Sequence, residues 1–127
     1  MKWARIFSVW FLIITVETLH GIVRMLYITP LIGDHTARQI GVPIGSLLIL
    51  LISWFTIRWI GAQTLKDYLS IGAVWVILTI IFEFLLGMLL NYPLSRILSD
   101  YDITRGGFMG LGLLFMLFSP LIATKIR

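Results

Sequence analysis

The chain contains no cysteine, so disulfides, thiolate metal sites and cysteine nucleophiles are excluded. Charge is nearly as scarce. Asp, Glu, Lys and Arg together make up 13% of the residues, about half the ~25% usual in soluble domains. Acids are the scarcer sign, six against ten basic residues. Soluble-type repeats, low-complexity tracts and linkers are missing as well. Outside one polar cluster described below there is no cofactor motif and no nucleophile beside a base. An enzyme is therefore the least supported class, and no cofactor is expected.

What the chain has is apolar length. Hydrophobic residues make up 59% of it, with a mean hydropathy of +0.99. Four apolar stretches cover about 6–28, 43–60, 68–90 and 106–123, each near the roughly 20 residues a spanning helix needs. Little remains outside them, so residues 1–127 read as a single integral membrane domain. The expected fold is all-α: a four-helix transmembrane bundle, up-down-up-down because the connections are short. The segment Met1-Lys-Trp-Ala-Arg5 and its apolar run resemble a signal peptide, but no small-x-small cleavage site follows. The sequence predicts a retained first span.

The basic balance, with a pI near 9.9, suggests no nucleic acid, because the basic residues flank the spans. With the N-terminus inside, Lys2, Arg5, Arg58, Lys66, Lys125 and Arg127 face the cytoplasm, against Arg38, Arg96 and Arg105 outside. That bias predicts both termini on the cytoplasmic side. Trp3, Trp59 and Tyr68 would mark the inner interface, and Tyr27, Tyr92 and Tyr101 the outer one. The bilayer is the expected surround, with a homo-oligomer or another membrane protein as partner.

Boundary signals add detail. Thr64-Leu-Lys-Asp67 has the form of a capping box before the third span, and Gly61 suits the end of the second. Pro43 fits the first turn of the second span. Asp34 is the expected cap of a short helical turn in the first outer loop. In the second outer loop, Leu94, Ile97, Leu98 and Tyr101 recur at helical spacing behind Pro93. They predict a short amphipathic interfacial helix between spans 3 and 4, either a lid or a plain connector. Gly41-x-x-x-Gly45 and Gly106-x-x-x-Gly110 supply small faces for close helix contact, within a chain or between chains. Arg58 and Arg96 read as interfacial snorkelling residues.

One polar cluster stands apart. Glu17, His20 and Arg24 lie on one face of the first span at spacings of three and four. Counting about 1.5 Å per residue, Glu17 falls near the bilayer middle, with Arg24 towards the outer interface. Glu83 on the third span falls almost level with His20, in the stripe Thr79, Glu83, Gly87, Asn91. Ionisable groups at this depth are costly and need partners, a wet cavity or a task. With both carboxylates ionised and Arg24 cationic, the layer carries one excess negative charge, which a proton or a bound cation would neutralise. Glu17-x-x-His20 with Glu83 also matches half of the Glu-x-x-His pattern of di-iron bundles, which leaves a metal undecided.

Several words of this sequence resemble a bacterial family of small, uncharacterised four-span membrane proteins. They are Glu17-Thr-Leu-His-Gly-Ile-Val-Arg24, Pro30-Leu-Ile-Gly-Asp-His-Thr-Ala-Arg-Gln39, Gly45-Ser-Leu-Leu-Ile-Leu50, Phe82-Glu-Phe-Leu-Leu-Gly87, Ile97-Leu-Ser-Asp-Tyr101, and Gly106-Gly with Ser119-Pro-Leu-Ile-Ala123. The resemblance implies a membrane protein of this size, placed in a bacterial inner membrane, and carries no activity. A looser likeness, in architecture alone, is to small multidrug resistance transporters, which also place a Glu in their first span. The favoured expectation is a small transporter or channel-like protein for a cation or proton-coupled solute. Glu17 and Glu83 would bind, His20 would switch protonation and Arg24 would be the counter-charge. The alternative is an accessory or structural subunit whose polar layer only holds helices together.

Overall fold

The computed structural model describes residues 3–126, the side chain of Arg105 excepted. Lys2 and Arg127, counted above among the cytoplasmic charges, lie outside the described residues. Every described element is helical: α1 (Trp3–Val23), a π-helical turn (Arg24–Ile28), α2 (Thr29–Ile32), α3 (Asp34–Ile60), α4 (Leu65–Leu89), α5 (Leu94–Ser99), a 3-10 turn (Ile103–Arg105) and α6 (Met109–Ile126). Four helical stretches are long and apolar enough to cross a membrane: Trp3–Ile32, α3, α4 and α6. The protein is thus an all-helical, multi-pass membrane bundle.

The surface is that of a protein with lipid as its solvent. Phe11, Leu31, Phe55 and Leu89 are each more than two-thirds exposed (69%, 82%, 67% and 79%). Between helices in lipid the apolar effect is weak, so close packing and buried hydrogen bonds must supply cohesion. Both occur at one end of the bundle. Ile6, Val9 and Ile13 of α1 pack with Ile57 and Ile60 of α3, Ile71 and Trp75 of α4, and Met116 of α6. Trp75 is fully buried and donates its indole N–H to the Ile6 carbonyl at 3.1 Å. In α6, Pro120 cannot donate to the Met116 carbonyl. The Ser119 hydroxyl does so instead at 2.9 Å, and receives the Ser53 hydroxyl of α3 at 3.3 Å. Gly72 lets α4 approach α6 until backbone meets backbone, its missing Cβ lying over the Leu117 carbonyl group.

Several boundaries follow expectation. Thr64 caps α4, its hydroxyl accepting from Asp67 N–H at 3.2 Å, while the Asp67 carboxylate accepts from Gln63 N–H at 3.3 Å. Gly61 ends α3 at φ 84°, a left-handed conformation that glycine adopts freely.

The segment 29–42 departs from expectation. It is not a loop before the second span but helix on both sides of Gly33, at φ 88°. Pro43 lies inside α3 rather than in its first turn, and Asp34 is the first helical residue rather than the cap. Asp34 and Arg38 pair at 3.2 Å across one turn, and Gln39 donates to the Gly106 carbonyl at 2.8 Å. These bonds hold the segment helical despite the one backbone bond that Pro43 forfeits.

The short helix α5 forms but ends at Ser99, before Tyr101. Its Ile97 seats against Gly87 of α4, where a Cβ would lie 2.6 Å from Ile97 Cδ1. Tyr101 follows and stacks on Phe84, ring centroids 5.9 Å apart.

Candidate functional site: a polar cavity in the bundle

The bundle opens most widely at the end opposite Trp75. A cavity of about 490 Å³ lies among α1, α3, α4, α5 and α6. Thr79, Met116 and Ile49 line its base. There the Trp10 indole donates to Thr79 Oγ1 at 3.1 Å, and the Thr79 hydroxyl reaches the Met116 sulfur at 3.5 Å. These contacts separate the cavity from the packed end.

Glu17, His20, Arg24 and Glu83 all line this one cavity. The first three project from α1 and its π turn towards Gly41 and Gly45 of α3. A Cβ on Gly45 would lie 2.7 Å from Glu17 Oε2, and one on Gly41 would lie 3.5 Å from both His20 Cε1 and Arg24 Cδ. The Gly41-x-x-x-Gly45 face is therefore used within the chain, to make room for polar side chains. Gly106 and Gly110 do not form a matching pair: Gly106 is a turn residue at φ 79°, and Gly110 faces open space. Arg24 begins the π turn, its carbonyl accepting from Thr29 N–H. Such turns recur at functional sites because the extra residue re-aims the side chains around it.

The four groups share a cavity but scarcely pair. The nearest approach is His20 Nδ1 to Glu17 Oε2 at 3.8 Å, too long for a hydrogen bond. Among the described residues, Arg24 and Glu83 make no ion pair. Glu17 Oε1, His20 Nε2 and Arg24 Nε are buried without a hydrogen-bond partner. Glu83 stands close enough to Glu17, Arg24 and Asp100 to feel their charges. No three His, Asp or Glu side chains among the described residues are grouped closely enough to hold a metal ion.

Above this layer stands a second tier that sequence reasoning missed as part of the site. Arg38 binds both Asp34 and Asp100, and Arg96 pairs with Asp34 at 3.4 Å. The contact of Arg38 Nε with Asp34 is an ion pair without hydrogen-bond alignment. Arg96 also lies over the Tyr92 ring at 4.3 Å, so it is tethered rather than simply snorkelling. This network joins α3 to α5 and to the turn after it. Burial pushes the Asp100 carboxyl above the usual carboxylate range; Arg38, Arg96 and Arg24 pull it down, and Asp34 adds to the rise. Tyr101, counted above with the outer aromatic belt, turns inward to line the cavity, its hydroxyl buried without a partner. Burial, then Glu83 and Asp100, raise its phenol to about 12. The only local signal for this tier was the i, i+4 spacing of Asp34 and Arg38.

No protein family, curated protein or solved structure matches this chain.

Proposed function

We propose that the protein is a small transporter or channel-like membrane protein for a cation or a proton-coupled solute, with the cavity as its binding site. One observation carries this reading. Glu17, His20 and Arg24 each keep a buried polar atom without a partner while lining a cavity wide enough for a small molecule. A layer that only held helices together would satisfy its own buried atoms, because each one left bare is costly. Groups kept bare beside a cavity are suited to an occupant that comes and goes.

In this reading Glu17 and Glu83 bind, Arg24 provides the counter-charge, and His20 takes up a proton when the Glu17 carboxylate beside it loses its occupant and releases it when the occupant returns. The helices run up-down-up-down with both termini on the cytoplasmic side of a bacterial inner membrane, and the cavity faces outward. The short helix α5 lies at the outer interface over the cavity, held by its ionic contacts. A homo-oligomer completes the assembly in the bilayer.

Purified protein in proteoliposomes, assayed for cation- or pH-driven flux, tests the proposal. Glu17→Gln and Glu83→Gln should each abolish flux while leaving the protein monodisperse. Undiminished flux in both variants would remove the two carboxylates from the mechanism.

A further inference from the structure

The cavity holds charges of both signs that the fold keeps apart. Arg24 on the π turn and Glu83 on α4 line the same space and feel each other's charge, yet they form no ion pair among the described residues. A direct pair would be the simplest way to accommodate two charges at this depth. Around them, Glu17 Oε1 is a bare acceptor, and Arg24 Nε and the Tyr101 hydroxyl are bare donors.

The charge count points the same way. Arg38 and Arg96 are matched within the upper tier by Asp34 and Asp100, so the charged groups of both signs left for an occupant of the cavity are Glu17, Glu83 and Arg24. A lone cation would leave Arg24 without a partner, and a lone anion would leave the two carboxylates so. A molecule carrying both signs would not. The remaining wall is largely apolar, with Ile14, Val42, Phe82, Leu86 and Leu113 among its residues. A volume of about 490 Å³ suits a small organic ligand.

We propose that the cavity binds a small zwitterion with an apolar body, its cationic group held by Glu83 and Glu17 and its anionic group by Arg24. The inference rests on reading the cavity as a solute site, and it narrows the solute's class. A free amphipathic amino acid and a zwitterionic lipid headgroup share this chemistry.

The test uses the full chain in a non-ionic detergent and measures ligand affinity by thermal shift and calorimetry at neutral pH. Three probes share one aromatic body: L-phenylalanine carries both charges, phenethylamine only the ammonium, and phenylpropionate only the carboxylate. Dihexanoyl phosphatidylethanolamine represents the lipid source. At least one zwitterion should bind about tenfold or more tightly than either single-charge probe. Preference between phenylalanine and the lipid then identifies the source. Glu83→Gln and Arg24→Gln should each weaken the zwitterion by about tenfold, with Arg24→Lys retaining part of the affinity.

Equal or tighter binding of phenethylamine or phenylpropionate overturns the inference, as does no binding by any probe. These comparisons use the unaltered protein, so a misfolded variant does not rescue it. Zwitterion binding without flux would uphold the inference and end the transport reading; flux without zwitterion binding would do the reverse.

Discussion

A Cβ at either Gly72 or Gly45 would come within 3.0 Å of a neighbour, yet replacing them by alanine should have opposite consequences. At Gly72 the new methyl would overlap the Leu117 carbonyl oxygen and lie 2.7 Å from its carbonyl carbon and 2.9 Å from its Cα. Ordinary carbon contacts are about 3.5–4.0 Å and the carbonyl oxygen is nearer still, so α4 and α6 would have to part by more than about 1 Å. The obstacle is main chain inside a regular helix, which has no rotamer to yield. Overpacking of this kind costs about 3 kcal/mol at the upper end of its usual range. The gain in helix propensity from Gly to Ala, about 1 kcal/mol, offsets part of it. A net loss of about 2 kcal/mol is expected.

At Gly45 the methyl would come 2.7 Å from Glu17 Oε2, the far end of a flexible side chain beside an open cavity. Glu17 can swing aside, so stability should change by less than about 1 kcal/mol. Its carboxylate would nonetheless leave its seat, and flux should fall. Unfolding in mixed micelles, followed by far-UV circular dichroism, measures the first effect, and proteoliposome flux the second. Gly72→Ala being as stable as the parent, or Gly45→Ala losing as much stability as Gly72→Ala, would refute the reasoning.

Two further outcomes follow from the upper tier. Tyr101 has a folded-state value of about 12 against an ordinary 10.0. Its protonated form therefore contributes stability that is fully present below pH 10 and lost as pH rises through about 12. Unfolding midpoints of the parent should drop more steeply than those of Tyr101→Phe across that window, and parallel curves would count against a buried phenol. A double-mutant cycle on Arg38→Ala and Asp100→Ala should give a coupling of about 1 kcal/mol, reduced from that of a dry pair because both side chains are partly exposed. A coupling of zero would mean that α5 is not held to α3 by this bridge.

The four spans were legible because lipid selects for long apolar runs, and no other signal competes with that pattern in this chain. The candidate residues Glu17, His20, Arg24 and Glu83 were legible for the converse reason: ionisable groups stand out in such runs. Helical rise sufficed to bring Glu83 level with the α1 stripe. The stretch 29–42 was not legible, since Pro43 and Asp34 resemble helix-start signals. The bonds that override those signals include one from Gln39 to Gly106, 67 residues away. Arg38 and Asp100 are 62 residues apart, and neither stands out from an ordinary loop charge. Gly41 and Gly45 could be read as a small face, but not that polar side chains of α1 would fill it. Gly72, between Ile71 and Ala73 in an apolar run, gave no hint that α6 crosses its backbone.

The unequal lengths of the spanning helices bear on the bilayer itself. Trp3–Ile32 holds 30 residues and α6 holds 18, or about 45 Å and 27 Å at 1.5 Å per residue. A hydrocarbon core is about 30 Å thick, so one helix overshoots it while another falls slightly short. The Gly33 turn, where the overshooting stretch meets α3, lies at the same end as Arg38, Arg96 and Asp100. Standing clear of the hydrocarbon there, the two helices would form a collar around the upper tier, in water rather than in lipid. A thicker membrane would draw that collar down and surround Arg38 and Asp100 with acyl chains. Bilayer thickness would then set how wet the mouth of the cavity is.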